Sequence, residues 1–335
     1  MHKVAVVVPN WNGADNLGAC LDSLMSQSCS AHIIVVDNGS VDKSVEVIKQ
    51  YTDIEIIKHS QNLGYAGGVN AGFRKAIELN LDFVAAFNND AVADKDWLLN
   101  LVNSIKDSPE TGIITSKILS YDGKSIDSTG DYYTVWGLPY PRGRGSTDIN
   151  SYDEKPEIFG ASGGASLYRI KMLQEVGLFD EDFFAYYEDV DLSFRTQLAG
   201  WKVRYEPAAI VRHRIGATSQ KIKGFTTYQT MKNLPLLLMK NVPRPYLYSV
   251  GWRFTFTHIL FFVSAIRAGN GWSALKGDLK GTLLLFSGLS KRRAIQQNKK
   301  VTDEYVWSIL IHDLPPNARS LRKLRSAWWK LFGKH

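Results

Sequence analysis

Two cysteines, Cys20 and Cys29, are all that 335 residues contain, so neither a disulfide framework nor a cysteine-rich metal site can hold this chain. Nine residues apart and without metal-ligand spacing, they read as reduced thiols of a cytosolic protein. A secretory signal is not expected either, since MHKVAVVVPNWNG places a proline and two asparagines where apolar length is required. The P-loop pattern is absent, and NLGYAGGVNAG does not satisfy G-x-G-x-x-G, which weighs against ATPase and dehydrogenase readings. No nucleic-acid module is recognisable. What remains is 44% hydrophobic and 12% aromatic, enough for one large domain with a real core plus an appendage.

Acid is scarce in the last third. Residues 1–220 carry 20 Lys and Arg against 29 Asp and Glu, net −9, whereas residues 221–335 carry 20 against 4, net +16. The two segments therefore face different partners, and a basic tail points to nucleic acid or an anionic membrane surface.

The N-terminal third alternates apolar runs with polar loops and helical patterns. KVAVVVPNWN is a strand of the kind covered on both faces, followed by helical spacing through Leu17, Cys20, Leu21 and Leu24. HIIVVDNGSVDKS repeats the unit, with a strand over 32–36 and a helix from about Asp42. IEIIKH then leads into NLGYAGGVNAGFRKAIEL, and FVAAFNND follows. This predicts an α/β fold with a mostly parallel sheet, helices on both faces and ligands bound at the carboxyl ends of the strands. Residues 111–160 read as a long active-site loop with some strand in it, rich in glycine, aromatics and proline.

The unusual polar residues gather at those strand ends: Pro9, Asn10 and Asn12; Asp37, Asn38, Gly39 and Ser40; Asn62, Gly64, Gly67, Gly68 and Asn70; Asn88, Asn89 and Asp90. Turn chemistry explains any one cluster. Four along one sheet edge indicate a ligand site instead. A glycine-rich turn opening a helix can receive a diphosphate, and Asp37 can accept the imide N–H of a pyrimidine base. Asn88, Asn89 and Asp90 offer hard oxygens for a divalent cation bridging that diphosphate. AYYEDVDL crowds Glu188, Asp189 and Asp191 behind aromatics, an arrangement that raises carboxyl pKa values and offers a general base. His213, at a strand end in RHRIGATS, is a candidate to complete the metal site.

With VVVPNWNG, VVDNGSVDKS, NLGYAGGVNAG, FNNDA, GASLYR, GLFDEDFFAYYEDVDLSFR and RHRIGATS in this order over residues 4 to about 240, the chain resembles the family 2 inverting glycosyltransferases of GT-A fold, in their rhamnosyltransferase-like branch. The resemblance implies that Pro9, Asn10, Asp37, Asn62 and Gly64 contact the nucleotide. It implies that Asp90 closes a D-x-D-type motif binding Mg²⁺ or Mn²⁺, that Asp189 is the base and that His213 completes the metal site. Asn88 stands where many members have Asp, and its neutral carboxamide is a weaker ligand. The implied reaction moves a sugar, with dTDP-L-rhamnose as the expected donor, onto a lipid-linked or growing cell-wall or surface polysaccharide with inversion. UDP and GDP sugars stay open as donors, as do a nucleotidyltransferase and a dead sugar-binding scaffold as alternatives.

Beyond residue 240 the composition changes, and the expected division is a catalytic domain over 1–240, split near 110 into donor and acceptor parts, and a helical region over 241–335. YLYSVGWRFTFTHILFFVSAI, 246–266, has the length to span a bilayer but is interrupted by Arg253 and His258. NARSLRKLRSAWWKLFGK sets Leu321, Leu324, Trp328 and Leu331 at helical spacing among basic residues. Peripheral attachment to the cytoplasmic face of the membrane is the expectation, with homo-oligomerisation possible.

Overall fold

The computed structural model describes residues 3–154, 157–216 and 222–316. The segment 317–335, with its basic amphipathic pattern, lies outside the described residues.

The Val-rich opening run forms β1 (Val4–Asn10), buried along its whole length because helices cover both faces of the sheet. The alternation predicted from sequence follows: α1 (Ala14–Met25), β2 (His32–Asp37), α2 (Ser44–Ile48), β3 (Ile54–Lys58), α3 (Gly64–Glu78) and β4 (Phe83–Phe87). Next come β5 (Ala91–Ala93), α4 (Trp97–Lys106), β6 (Thr111–Ser120), β7 (Ile126–Ser128), β8 (Asp131–Tyr133) and β9 (Pro139–Pro141). The domain continues through β10 (Ala165–Arg169), α5 (Ile170–Val176), α6 (Glu188–Leu198) and β11 (Lys202–His213).

The sheet order is β3-β2-β1-β4-β10-β6-β11-β5, with β7 added beside β6 and β8-β9 forming a separate pair. β1 to β4, β6 and β11 run in one direction; β10 is antiparallel to both its neighbours, and β5 and β7 also oppose theirs. The sheet is thus mostly parallel, as the pattern implied. The 111–160 stretch differs from its reading as a loop, because β6 is a ten-residue central strand. Thr111, Thr115, Ser116 and Lys117 interrupt its apolar residues and hide the pattern, yet all four are buried.

One core layer lies under α1 and α4, around Leu21, Trp97 and Leu101, and a second lies under α3 and α5, around Phe73, Tyr168 and Met172. A third joins Val190, Phe194 and Leu198 of α6 to four further helices: α7 (Phe225–Asn241), α8 (Leu247–Arg267), α9 (Gly271–Gln297) and α10 (Asp303–Ile309). α7 falls before the expected boundary at residue 240, yet it packs along α9. Lys240 near its end reaches into the catalytic-side loop to pair with Asp180 and Asp191.

Candidate active site

Parallel strands ending side by side deliver their next residues to one edge, and β1, β2 and β4 do this with Asn10, Asp37 and Asn88 to Asp90. Asn10 is the hub. Its Nδ2 donates to Ser40 Oγ at 3.2 Å and to Asp37 Oδ1 at 3.5 Å, while its Oδ1 accepts from Asn89 Nδ2 at 2.6 Å. Ser40 Oγ also accepts from the Asn12 amide at 2.9 Å, and Asn12 Oδ1 accepts from Val41 N at 2.9 Å. These bonds cross from one loop to the next and fix a rigid pocket floor.

The glycine-rich turn is less open than its sequence implies. Gly64 starts α3 at φ +76°, and a β-carbon there would stand 2.3 Å from Phe184 O, so both conformation and space demand glycine. Gly64 N is capped by Asn62 Oδ1 at 2.8 Å, Asn38 Nδ2 donates to Gly64 O at 2.8 Å, and Ala66 N donates to Phe184 O at 3.1 Å. Two amides of the first turn are therefore engaged within the protein, and the turn chiefly seats the 180–187 loop. The Gly67 position lies against the Leu63 side chain. Asn70 is buried with both ends of its carboxamide used, donating to Phe179 O and Glu181 Oε1 and accepting from Phe179 N. That geometry makes Asn70 an anchor for the 179–181 turn rather than a donor-binding group, a correction to its sequence reading.

The second cluster forms where β11 pairs antiparallel with β5, His213 opposite Ala91. This register brings His213 Nε2 to 3.1 Å from Asp90 Oδ1 and 3.2 Å from Asn88 Nδ2. Its Nδ1 is 2.8 Å from Asp127 Oδ2, and Arg144 pairs with Asp127 Oδ1 at 2.7 Å. Burial works against the imidazolium, but the bonds to Asp127 and Asp90 outweigh it and push its pKa up to about 9. Apart from His213, Asp90 Oδ1 is buried without a hydrogen-bond partner among the described residues. Among them, no three His, Cys, Asp or Glu side chains form a ready cage. A cation here would be held by Asp90 and His213, with diphosphate oxygens and water completing its shell. Asp90 with diphosphate oxygens and water fits the donor set usual for Mg²⁺ or Mn²⁺ at phosphate sites, whereas His213, its pKa raised by the two carboxylates, would have to lose its proton before its imidazole could join.

The acidic cluster separates into three fates. Asp191 is fully buried and bound by Arg195 at 2.9 Å, Lys240 at 2.8 Å and Asn241 at 2.8 Å. Burial alone would raise its pKa, but Lys240 and Arg195 lower it below the usual aspartate range. Asp191 is therefore an ion-paired anchor between helices rather than a base, which corrects its sequence reading. Glu188 is buried, and burial followed by the charge of Asp189 raises its pKa well above the usual range. Its Oε2 has no hydrogen-bond partner among the described residues. Asp189 is half-buried, with Oδ2 accepting from Gly163 N and Oδ1 from Val190 N, both at 2.8 Å. Burial raises its pKa, while these amides act the other way and favour the carboxylate. Burial thus pushes both carboxyls above their ordinary pKa, and of the two Asp189 is the one whose side chain accepts backbone amides that favour its charged form.

Gly163 and Gly164 connect the two clusters, since Gly164 O accepts from Asn88 N at 2.9 Å, one residue from the amide that holds Asp189. The base candidate and the cation candidate therefore share a rim. Sequence reading missed Asp127, Asp131 and Arg144 because they sit in the stretch read as loop. Asp131 is buried, and burial together with Asp189 raises its carboxyl pKa well above normal.

It also missed the clamp on α7. Phe184, Tyr186 and Tyr187 adopt φ of +62°, +70° and +70°, each a conformation that costs about 1–3 kcal/mol for a residue with a side chain. Asn233 Nδ2 lies 3.0, 2.9 and 2.8 Å from the carbonyls of Phe183, Ala185 and Tyr186, and Lys232 Nζ donates to those of Asp182 and Phe183. Asn233→Ala removes a buried donor from a strained loop and is expected to destabilise by about 1–3 kcal/mol. Because the loop leads into Asp189, kcat should fall more than the donor KM rises. Thermal unfolding and steady-state kinetics on the same preparation check both effects.

The fold is that of the GT-A glycosyltransferases. GalNAc-T7, solved with UDP, GalNAc and Mn²⁺, superposes with a TM-score of 0.57 at 16% identity, covering 73% of this chain and 49% of that one. The mannosyltransferase PcManGT of Pyrobaculum calidifontis, solved with GDP-Man and Mn²⁺, gives 0.54 at 16% identity over 91% of this chain and 87% of its own. The Glycosyl transferase family 2 model matches residues 5–177, just over half of the chain, and the protein belongs to that family. Among curated relatives, the N-acetylglucosaminyl-diphospho-decaprenol L-rhamnosyltransferase of Mycobacterium tuberculosis is 28% identical over 229 residues, 62% of this chain and 75% of the relative.

Proposed function

We propose that this glycosyltransferase moves L-rhamnose from dTDP-L-rhamnose, with inversion, onto a lipid-linked or growing polysaccharide acceptor at the cytoplasmic face of the membrane. The observation that carries the reading is the shared rim, where Asp189, held by Gly163 N, stands one residue from the backbone contact to the Asn88–Asp90 cluster. The mycobacterial relative supports the sugar and the lipid-linked acceptor through its name.

Each residue has a defined task. Asp37, with Asn10 bridging to it, presents a carboxylate at the end of β2 suited to a pyrimidine N–H. Pro9, Asn12, Asn38, Gly39, Ser40 and Asn62 shape the loops around it. Asp90, with His213 beside it, would hold a divalent cation, Mg²⁺ or Mn²⁺, which would supply positive charge against that developing on the leaving diphosphate. Asn88 lies against His213, and Asn89 ties Asn10 to the same strand end. Asp189 takes the proton from the acceptor hydroxyl as the new glycosidic bond forms and the nucleoside diphosphate departs from the opposite face.

Calorimetric titration of dTDP, UDP and GDP, each with and without Mg²⁺ or Mn²⁺, tests the donor reading. The expected result is metal-dependent dTDP binding at least about tenfold tighter than GDP binding and lost in Asp90→Ala, a difference of about 1.4 kcal/mol or more. Preference for UDP or GDP would replace the donor while keeping the reaction class. Absence of binding by every nucleotide would remove the reading.

A further inference from the structure

The largest feature that the catalytic reading leaves unused is an apolar surface on α8 and α9. Among the described residues, 12 of the 18 large hydrophobic side chains that are exposed belong to these two helices. On α8 they recur at helical spacing, including Trp252, Phe256, Ile259 and Ile266. On α9 they include Trp272, which is 68% exposed, Leu279, Leu283 and Phe286, which is 75% exposed. Two helices packed side by side, each with a row of exposed large apolar side chains, exceed what a soluble surface normally shows.

The opposite sides of both helices are committed to the protein. α9 lies against α7 through Gly277 and Gly281, where a β-carbon would meet the carbonyls of Tyr228 and Lys232 at 2.5 and 2.7 Å. α8 buries Val250, Phe254, Thr257 and Ala265. The polar interruptions of α8 are satisfied locally, His258 by Asp278 of α9 at 2.7 Å and Arg253 by Ser249. Arg244–Arg267 is long and apolar enough to cross a membrane by composition, but α8 is tied to α9, and α9 to the catalytic domain. The hairpin is built to lie along a surface rather than to pierce one.

We propose that the outer face of the α8–α9 hairpin is a membrane-docking surface that immerses in the plane of an anionic lipid bilayer. Charge selects this occupant over a second copy of the chain. Residues 244–297 hold eight Lys and Arg against one acid, Asp278, and with Lys291 committed to Asp180 and Asp182 the rest still leave the hairpin strongly basic, so two copies would repel whereas anionic headgroups attract. Lys276 and Lys280 flank the apolar stripe on α9, and Lys276 sits over the Trp272 ring at 5.2 Å, the pairing of an aromatic with a cation that suits a headgroup boundary. Position agrees as well. Gly224, at the start of α7, abuts Ser273 beside the hairpin turn, and the adjacent Phe225 packs against Phe184 and Tyr186 of the loop leading to Asp189. Docking therefore brings the acceptor side of the site to the lipid surface. This inference rests on the lipid-linked acceptor proposed above for its biological sense, though its test does not.

The test is sedimentation of the full chain with phosphatidylcholine vesicles, with and without 30% phosphatidylglycerol, for the wild type and for Leu279→Glu/Leu283→Glu/Phe286→Glu. Wild type should bind the anionic vesicles, and the triple variant should lose about tenfold or more in partition coefficient while nucleotide binding and thermal unfolding are unchanged. Lys276→Glu/Lys280→Glu should weaken binding only to the anionic vesicles. Undiminished binding by the triple variant would overturn the proposal, as would a wild-type dimer in light scattering that the same substitutions convert to monomer. Because no donor or acceptor is present, failure here leaves the transferase reading intact, and failure of nucleotide titration leaves this one intact.

Discussion

Asp189→Asn should lower kcat by about 10²- to 10⁴-fold with little change in nucleotide affinity, the loss expected when a general base is replaced by an isosteric amide. Two backbone amides donate to the carboxylate, one to each oxygen, so the substitution removes the base and keeps the shape but gives up one of these two hydrogen bonds, and thermal unfolding of the variant is measured alongside. Glu188→Gln, one residue earlier, should stay within a few-fold of wild type, because burial favours the neutral form of that carboxyl and an amide replaces it well. The pair of variants separates a base from an acidic helix start. The pH profile gives a second check. Burial holds the Asp189 pKa above its ordinary 3.8, so kcat/KM should rise with pH through that raised value as the carboxylate forms. In Asp189→Asn this acid limb should disappear. A variant retaining both rate and limb would move the base elsewhere, with Asp131 as the next carboxyl in range of the same field.

Lys240→Met should cost about 3–5 kcal/mol, among the largest single effects on stability in this chain. Lys240 is 1% exposed and joins Asp180 to Asp191, so its loss leaves buried carboxylates short of their cation. Arg195 and Lys291 still contact them and place the expected value toward the lower end. For a chain of this length, a fall of several degrees in Tm follows. The pH sign is fixed by the carboxylates. Against burial, Lys240 holds the pKa values of Asp180 and Asp191 below the unfolded value of 3.8. Their contribution is therefore fully present above pH 3.8 and is lost as pH falls through the folded values. Thermal unfolding should show a wild-type advantage that is constant from pH 7 to about pH 4 and shrinks only as pH is lowered further. Equal Tm values at neutral pH would mean that the triad is not a stabilising element.

Residues 1–110 were legible because their information is local. Val-rich strands, amphipathic helices and polar strand exits follow one another within about 30 residues, so β1 to β4 could be read with small boundary errors. The chain from 111 to 160 was harder, since polar residues buried in β6 meet partners distant in sequence, as Thr115 Oγ1 does in accepting from Ser166 Oγ at 2.8 Å. Asn70 and Asp191 were misassigned for a related reason. A polar side chain in a functional motif looks the same whether it faces a ligand or anchors a turn, and only its partners decide.

By itself the sequence determined the alternating sheet, the polar clusters at its carboxyl edge and the family to which the motifs belong, because each depends on residues close together along the chain. Tertiary structure decided which of those residues meet. His213 reaches Asp90 only through the pairing of β11 with β5, and Asp127 reaches His213 from a stretch that reads as loop. Asn233 and Lys240, unremarkable residues of a helix, fix the strained loop and the ion-paired anchor around Asp189. Strand register, and the burial that makes an unpaired charge costly, are properties of the assembled fold and leave no mark on local pattern.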